Sequence, residues 1–355
     1  MQSSFQQQVD ALLDIVFQNG ASDLHLSVGR HPFIRVNGAL NEVTNFPELT
    51  PDDMVGIVTL VAGEEKSAKL ANLEEIDFAY NYADKLRLRG NAYIQSGKVT
   101  LALRTIEKIR TLADLKLPQI LLQFTRSKQG FFLVVGPVGQ GKSTTLAAMI
   151  DSINTERREH ILTIEHPIEY LHTEKQSIID QREVGLDTES FHTALESAFR
   201  EDANVILVGE MQNPETIATA VTAAETGHLV YSTLHTNSAA QTIDRIIDSF
   251  PPAQQEQVRV QLAATLLGVF SQRLIPSLKG GRVAAYELLI NTKGVATMIR
   301  EGRTHEIDTA IETGSEHGMI SMNRSLIDLV QRGEISVDDA RMFTTNPDGL
   351  TSMMQ

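Results

Sequence analysis

Hydrophobic positions in the first hundred residues follow helical spacing in some stretches and strand spacing in others. Apolar side chains recur three and four residues apart over residues 1–18, which predicts an amphipathic helix that ends at Asn19-Gly20. A second helix is predicted over residues 51–72, beginning at Thr50 or Pro51. Alternating patterns predict strands over residues 23–28, 33–36, 76–82, 86–94 and 99–106, with a hairpin turn at Asn37-Gly38. This part of the chain is therefore predicted to be a small α+β unit.

From about residue 119 the pattern changes to short, continuous apolar runs separated by helical stretches. The runs cover residues 131–135, 161–164, 205–208 and 229–233, and helical spacing resumes after residues 283–290. Continuous runs of this length suit parallel strands covered on both faces, and their alternation with helices predicts a doubly wound α/β sheet. We predict a domain of residues 1–107, a linker of residues 108–118, a second domain of residues 119–292, a helical region of residues 293–345 and a frayed tail of residues 346–355.

The amino-acid composition argues against several classes of protein function. The 355 residues carry 31 Lys+Arg against 45 Asp+Glu, a formal net charge of -14, whereas a dedicated nucleic-acid binder usually has a basic footprint. The absence of cysteine excludes disulfides, thiolate zinc sites and cysteine nucleophiles. No apolar run approaches the ~20 residues of a membrane span, and the first residues lack the pattern of a signal peptide. We therefore expect a cytoplasmic protein with no nucleic-acid partner.

The strongest chemical signal is a glycine-rich segment between a predicted strand and a predicted helix. Residues 136–144, GPVGQGKST, match G-x-x-x-x-G-K-[ST]. The glycines let backbone N–H groups turn toward a phosphate chain at the positive end of the following helix. Lys142 can then reach the β and γ phosphates of ATP, and the Ser143 hydroxyl can hold Mg²⁺. The predicted nucleotide-binding residues are Gly136, Pro137, Val138, Gly139, Gln140, Gly141, Lys142, Ser143 and Thr144.

Carboxylates follow two further predicted strands. Glu210 comes just after the run 205–208, where P-loop enzymes keep a carboxylate that activates water or organises a metal. Glu165 and Glu169 follow the run 161–164. Because ligands of doubly wound sheets bind at the carboxyl ends of strands, these two acids can face the γ-phosphate or its magnesium. The alternative interpretation is a solvated loop with ordinary surface acids.

Histidines flank one predicted strand, and arginines lie on two others. His228 precedes and His235 follows the same strand, and an imidazole at the active edge can hydrogen-bond a phosphate. A purely structural role is equally compatible with a histidine in such a place. Arg87, Arg89 and Arg104 fall on neighbouring strands of the first domain. Basic side chains on a strand are usually just solvated, but in a ring-forming NTPase they can act as arginine fingers.

In this order, the segments resemble those of the type II/IV secretion ATPase superfamily, and within it the PilT/PilU family of type IV pilus twitching-motility ATPases. The resemblance extends over nearly the whole chain, through ASDLHLSVGRHPFIRVNGAL, GPVGQGKSTTLAAMI, TIEHPIEY, QREVGLDT, VILVGEMQNPET, ETGHLVYSTLHTN and EHGMISMNRSLIDLV. It implies a PAS-like N-terminal domain joined to a RecA-like ATPase domain, with ATP and Mg²⁺ bound between the two. It also implies a homo-hexameric motor for pilus retraction, located in the cytoplasm at the inner-membrane base of the pilus and acting on a platform protein.

The resemblance also implies roles for individual residues. Glu210 matches the Walker B glutamate that activates water, and the arginines fall where the family keeps its sensing arginines. The implied catalytic set is Glu210, Glu165, Arg87, Arg89, Arg104 and His235, with Glu169 and His228 in nucleotide binding and Ser143 and Glu165 as Mg²⁺ ligands.

Several positions depart from the family pattern. His166 replaces an acidic-box aspartate, Gln212 and Asn213 replace an arginine and an aspartate, and Glu196 stands where arginine is common. Residues 295–299 lack the A-I-R-N-L-I motif, which is also missing from PilU-like members. An alternative therefore stays open, a PilU-like accessory ATPase that assists a second retraction motor. An assembly ATPase and a DNA translocase are disfavoured by the missing cysteines and by the net charge. Because it ends a strand, we also expect His166 to face the nucleotide and make turnover sensitive to pH.

Overall fold

A computed structural model describes residues 2–36, 38–83, 85–106, 108–211 and 213–354. The chain divides into two compact units, Met1–Lys108 and Ile109–Gln355. Three positions singled out in the sequence lie outside the described residues: Asn37 of the predicted hairpin turn, Glu107 at the predicted domain boundary and Gln212 after the Walker B strand.

The N-terminal unit is an antiparallel sheet combined with helices. Its elements are α1 Gln2–Gln18, β1 Asp23–Ser27, β2 Phe33–Val36, β3 Ala39–Glu42, α2 Pro51–Ala62, α3 Glu64–Lys69, a 3-10 turn Leu70–Asn72, β4 Ile76–Tyr82, β5 Leu86–Gln95 and β6 Lys98–Ile106. The strand order is β3-β2-β1-β6-β5-β4, and each neighbouring pair is antiparallel. The predicted first helix and the predicted strands are confirmed.

The predicted helix over residues 51–72 is interrupted. Thr50 begins it with a capping box, in which its hydroxyl accepts from the Asp53 N–H and the Asp53 carboxylate accepts from the Thr50 N–H. Gly63 then ends α2 with a φ of +86°, a conformation that favours glycine. The chain resumes as α3 and the 3-10 turn, so one predicted helix becomes three short elements.

The second unit begins with a parallel sheet and ends with helices. Its strands are β7 Gly130–Val135, β8 His160–Glu165, β9 Ile178–Glu183, β10 Val205–Val208, β11 Leu229–Leu234, β12 Leu266–Pro276 and β13 Arg282–Ile290. Its helices are α4 Leu121–Thr125, α5 Lys142–Glu156, α6 Phe191–Ala198, α7 Pro214–Glu225, α8 Ala239–Asp248, α9 Pro252–Thr265, α10 Lys293–Glu301, α11 Ile307–Thr313, α12 Met322–Gln331, α13 Val337–Phe343 and α14 Pro347–Met354, with 3-10 turns at Thr304–Glu306 and Ser315–His317.

The strand order of this sheet is β13-β12-β7-β11-β10-β8-β9, with crossovers that confirm the predicted doubly wound topology. Neighbouring strands are parallel except for β13, which is antiparallel to β12. Every residue of β7, β10 and β11 is buried, as their continuous apolar runs predict. The hydrophobicity pattern did not predict β9, which is largely polar, or β12, which follows α9 with no intervening residue.

Residues 347–354 form the helix α14, contrary to the expectation that the tail of residues 346–355 is frayed. Asn346 accepts a hydrogen bond from the Gly349 N–H, and Pro347 starts the helix α14, as suits the first turn of a helix. Leu350 is 1% exposed and packs in one core cluster with Met322 and Leu326 of α12. The buried Leu350 and the capped first turn thus stabilise a helix in a segment whose polar composition predicts fraying. Among the described residues, no helix combines the length and apolar character needed to cross a bilayer.

Candidate active site

The carboxyl ends of four parallel strands bring the sequence-predicted residues of the second unit to one edge of the sheet. Gly136 follows β7, Glu165 ends β8, Glu210 follows β10 and His235 follows β11. In-register parallel pairing fixes this arrangement, because β7, β11, β10 and β8 are consecutive neighbours. In an open α/β sheet this edge is the ligand-binding edge.

The glycine-rich loop after β7 has the backbone of a phosphate cradle. Gly136, Gly139 and Gly141 have φ values of +146°, +76° and +80°, which other residues rarely adopt. A Cβ at Gly136 would lie 2.4 Å from the Gln272 carbonyl oxygen, so glycine is required there by space as well. Gly141 is the N-cap of α5 and has no side chain to cap the first turn, whose N–H groups can therefore bind an anion.

Lys142 lies at the centre of a hydrogen-bonded group. Its side chain is buried, and its ammonium donates to the carbonyl oxygens of Gly136 at 2.7 Å and Pro137 at 3.0 Å. Burial lowers the pKa of Lys142, while the charges of Glu210 and Glu169 oppose that shift. Because its direct partners Gly136 and Pro137 are neutral carbonyls, the buried ammonium can still attract an anion.

His235 joins Lys142 to Glu210. The His235 Nδ1 lies 3.2 Å from the Lys142 ammonium, and the Nε2 lies 3.2 Å from Glu210 Oε1. An ammonium has no lone pair to accept a hydrogen bond, so Nδ1 must accept and Nε2 must carry the proton. The arrangement therefore selects one neutral tautomer of His235, with Nε2–H donating to the Glu210 carboxylate.

Glu165 is held on the neighbouring strand by hydrogen bonds. Its carboxylate accepts from the Thr163 hydroxyl at 2.7 Å, the Gln181 amide at 3.3 Å and the Glu169 backbone N–H at 3.5 Å. Burial raises the pKa of Glu165 to about 7, although these hydrogen bonds favour the charged form. A cation next to Glu165 would shift it toward the carboxylate. The Glu169 side chain is exposed.

His228 does not lie with Lys142 and His235 at the carboxyl edge of the sheet, although it was predicted to take part in nucleotide binding. Its carbonyl oxygen accepts from Gly130, the first residue of β7, so His228 lies at the amino edge of the sheet. The imidazole Nδ1 donates to the Ala223 carbonyl at 3.0 Å, and the ring packs edge-on against Phe199. The physical reason is simple: residues that flank one strand lie at opposite edges of the sheet.

The arginines of the N-terminal unit are placed by antiparallel register. Arg89 on β5 lies opposite Arg104 on β6, and Arg87 donates to the Asn81 side chain at 3.1 Å. Arg104 makes an ion pair with Asp23 of β1 at 2.9 Å, and Arg35 lies 3.6 Å from the same carboxylate. Arg89 and Arg104 are exposed.

The structure places three of the departures from the family pattern. His166 is exposed, and its orientation toward a bound nucleotide stays a prediction. Asn213 is the N-cap of α7 and accepts from the Thr216 N–H at 2.9 Å, a role that an aspartate fills equally well. Glu196 Oε1 lies 3.6 Å from Nε2 of His192, one turn earlier on α6.

Several further residues contact the site without belonging to any recognisable sequence motif. Tyr170 donates to or accepts from the Thr144 hydroxyl at 2.8 Å, and Gln181 donates to the Tyr170 carbonyl as well as to Glu165. Gln272 and Arg282, on β12 and β13, contact the glycine-rich loop. Neutral amides on strands that the hydrophobic pattern missed carry no recognisable motif.

Comparison with known proteins decides the family. A family model described as Type II/IV secretion system protein matches residues 2–334. The chain is 43% identical over 334 residues to the Type IV pilus retractation ATPase PilT of Pseudomonas aeruginosa, covering 94% of this chain and 97% of that protein. The chain belongs to the type II/IV secretion system protein family.

Other members of the type II/IV secretion family are similarly close. The Type IV pilus ATPase PilU of Pseudomonas aeruginosa is 39% identical over 350 residues, which cover 98% of this chain and 91% of that protein. The crystal structure of the pilus retraction motor PilT with bound ADP superposes with a TM-score of 0.92 at 43% identity, covering 97% of this chain and 99% of that one.

These similarities confirm the predicted family and the predicted α/β fold, with an N-terminal PAS-like domain and a RecA-like ATPase domain. As a member of this group of type II/IV secretion proteins, the chain is an ATPase. The ADP of the solved relative identifies a nucleotide as the ligand class. The roles of the individual site residues stay predictions.

Proposed function

We propose that this ATPase is a homo-hexameric motor that powers the retraction of type IV pili. One observation carries the proposal: Lys142, His235 and Glu210 form a connected group beside the phosphate loop. The chain that holds this group matches the retraction motor PilT over 97% of its length. The residues at the carboxyl edge of the sheet account for the proposed chemistry, and the full-length similarity to PilT supports the proposed biological role.

The proposed reaction is in-line attack of water on the γ-phosphate, which yields ADP and phosphate. Glu210 orients or deprotonates the water, and His235 holds the Glu210 carboxylate through its Nε2–H. Lys142 neutralises charge on the phosphates. Arg87, Arg89 and Arg104 are proposed to stabilise charge in the transition state.

The residues present also fit Mg²⁺, which we propose as the metal cofactor. Ser143 is the second residue of α5 and offers a hydroxyl directly after Lys142. Glu165 offers a carboxylate whose raised pKa of about 7 a cation would lower again. When bound, Mg²⁺ supplies positive charge to the β and γ phosphate oxygens. Ser143 and Glu165 are the residues that we propose to hold it.

The first test is phosphate release by the purified chain together with its native mass. We expect ATP-dependent phosphate release and a mass of six chains. A monomer that binds ATP but releases no phosphate would contradict the motor proposal. Added DNA is expected to leave the rate unchanged, because the net charge of -14 disfavours nucleic acid as a partner.

The second test is complementation in a piliated bacterium that lacks its own retraction ATPase. Expression of this chain is expected to restore twitching, whereas the Lys142→Ala variant should not. The platform protein of the inner membrane is the proposed partner, and the cytoplasmic base of the pilus is the proposed location. Co-purification of the chain with the platform protein would support both.

A PilU-like accessory role is the second candidate. It is favoured by 39% identity to PilU over 98% of this chain. Residues 295–299 of α10 also lack the A-I-R-N-L-I motif. The two roles differ in one measurement, since an accessory ATPase restores twitching only in a strain that retains a second retraction motor.

A further inference from the structure

Gln272 is a buried amide that connects β12 to the phosphate loop. It is 3% exposed, and both of its amide atoms find partners. Its Nε2 donates to the Gln140 carbonyl oxygen at 2.8 Å, and its Oε1 accepts from the Thr145 hydroxyl at 2.6 Å. The Gln140 carbonyl can only accept, so the orientation of the Gln272 amide is determined by its partners.

The side chain of Gln140 also contacts β12. Its side-chain Oε1 accepts from the backbone N–H of Leu274, two residues beyond Gln272 on β12, at 2.6 Å. The backbone and the side chain of one loop residue are therefore both bound to the same strand. Residues 140 and 272 are separated by 132 positions, so this pairing depends entirely on the parallel contact between β7 and β12.

The position of Gln140 explains why such a restraint has consequences for a ligand. It lies between Gly139 and Gly141, both in the left-handed region of φ. Glycines lose more conformational freedom on ordering than other residues, so a loop of this composition is costly to hold in one shape. A loop that is ordered before the ligand arrives does not spend binding free energy on ordering.

We propose that Gln140 and Gln272 form a clamp that holds the loop in its phosphate-binding conformation, which makes Gln272 a positioning residue for nucleotide binding. The clamp acts through backbone N–H groups of residues 138–142 and touches no reacting atom. The proposal rests on ATP binding by this family and is independent of the role in pilus retraction.

The main test is Gln272→Met, which keeps the volume and removes both polar atoms. We expect the Kd for a fluorescent ADP analogue to rise about tenfold, because the part-buried Gln140 carbonyl and the buried Thr145 hydroxyl lose their partner. The KM for ATP is expected to rise by a similar factor while kcat changes by less than about threefold, since the clamp affects ground state and transition state equally.

A double-mutant cycle tests whether the two glutamines act as one unit. Gln140→Ala removes the contact with Leu274 and keeps the Gln140 carbonyl. If the clamp is one unit, the double variant binds ADP about as weakly as the weaker single variant. If the increase in Kd of the double variant equals the product of the increases in the two single variants, the two glutamines act independently. That result would overturn the clamp proposal, even if each single variant loses affinity.

The matched control is Gln261→Met in α9, because Gln261 also donates one side-chain hydrogen bond, at 2.8 Å to Glu225. Its Kd for the ADP analogue is expected to equal that of the wild type. A lower Tm of Gln272→Met without nucleotide, together with an unchanged Kd, would mean that Gln272 is structural only. If Gln272→Met does not fold, the Kd of Gln140→Ala for the ADP analogue is the test. An unchanged Kd of that variant overturns the proposal. Failure of the wild-type chain to bind nucleotide would refute the site itself, which is a different outcome.

Discussion

The two sheets of this chain present their candidate residues in different ways. In the second unit the candidates follow the ends of parallel strands, and in the N-terminal unit they lie along antiparallel strands. Ends of parallel strands meet at one edge, so chain order alone predicts that Lys142, Glu210 and His235 come together. Along antiparallel strands the partners depend on register, and the Asp23 partner of Arg104 is 81 positions away.

The electrostatic settings differ as well. Lys142 is 8% exposed and is held by carbonyl oxygens. The Arg104 side chain is 73% exposed and pairs with an Asp23 side chain that is 10% exposed. Exposed ion pairs contribute little free energy, whereas a buried ammonium interacts strongly with an anion. Removing charge from the second unit should therefore have larger effects on ligand binding than removing charge from the first.

The largest effect is expected for Lys142→Ala. Hydrolysis should be abolished and nucleotide affinity weakened, because the point charge opposite the β and γ phosphates is lost. Phosphate release and the Kd for ADP measure the two effects. Lys175→Ala, which removes an exposed lysine paired with Asp151, is the control and should retain activity. Near wild-type turnover of Lys142→Ala would contradict the loop assignment.

Glu210→Gln is expected to stop turnover while ATP binding persists. The amide keeps the shape of the side chain but cannot accept a proton from water. The contact with His235 Nε2–H is preserved, because an amide oxygen also accepts. Single-turnover phosphate release and ATP binding on the same sample separate the two steps. If the variant hydrolyses ATP normally, the base lies elsewhere and Glu165 is the next candidate.

Arginine variants test the N-terminal side of the comparison. If the arginines act on transition-state charge, Arg89→Ala lowers kcat by about a thousandfold with a far smaller change in nucleotide affinity. Arg104→Ala should do the same and, in addition, lower the free energy of unfolding by less than about 1 kcal/mol, because the Arg104 side of the pair is exposed and Arg35 stays 3.6 Å from the Asp23 carboxylate. A loss of affinity with unchanged kcat would mean that these side chains bind only ground-state ATP.

His235 and His228 flank the same strand, so variants of the two compare the carboxyl edge of the sheet with its amino edge. His235→Ala removes the link between Lys142 and Glu210 and is expected to lower kcat at least tenfold, an effect of about 1.4 kcal/mol. His228→Ala removes a contact at the opposite edge and is expected to affect thermal stability more than kcat. Steady-state kinetics and thermal unfolding of both variants make the comparison. Equal losses of kcat would show that the amino edge also takes part in turnover.

The last prediction concerns a buried acid away from the loop and an effect on stability rather than on turnover. Burial raises the pKa of Glu287 on β13 from 4.5 to about 7. The folded chain thus binds a proton more tightly than the unfolded chain, so this contribution to stability is complete below about pH 4.5 and is lost as the pH rises to about 7. Glu287→Gln should remove this dependence, on the order of 1–3 kcal/mol between pH 5 and 8.

Thermal unfolding of Glu287→Gln at several pH values measures that slope. The exposed acid Glu316 offers a control, since its side chain is 81% exposed and Glu316→Gln should leave the slope unchanged. Parallel stability curves for Glu287→Gln and the wild type would mean that Glu287 does not titrate in this range.

Local patterns in the sequence were enough to predict the P-loop and most strands, and the order of the motifs along the chain was enough to predict the family. Continuous apolar runs predict β7, β10 and β11 because burial on both faces leaves no polar position in them. The glycine spacing around Lys142 predicts the phosphate loop because only glycine adopts those φ values easily. Such signals lie within about ten consecutive residues and need no knowledge of the remaining chain.

Tertiary structure decided the contacts that join distant segments. The sequence alone could not predict that Gln272 contacts Gln140, that Arg104 pairs with Asp23 or that a helix forms around Leu350. Each of these depends on strand register or on packing between elements far apart in the chain. Hydrophobic periodicity reports which face of an element is buried, but it does not report which element buries it.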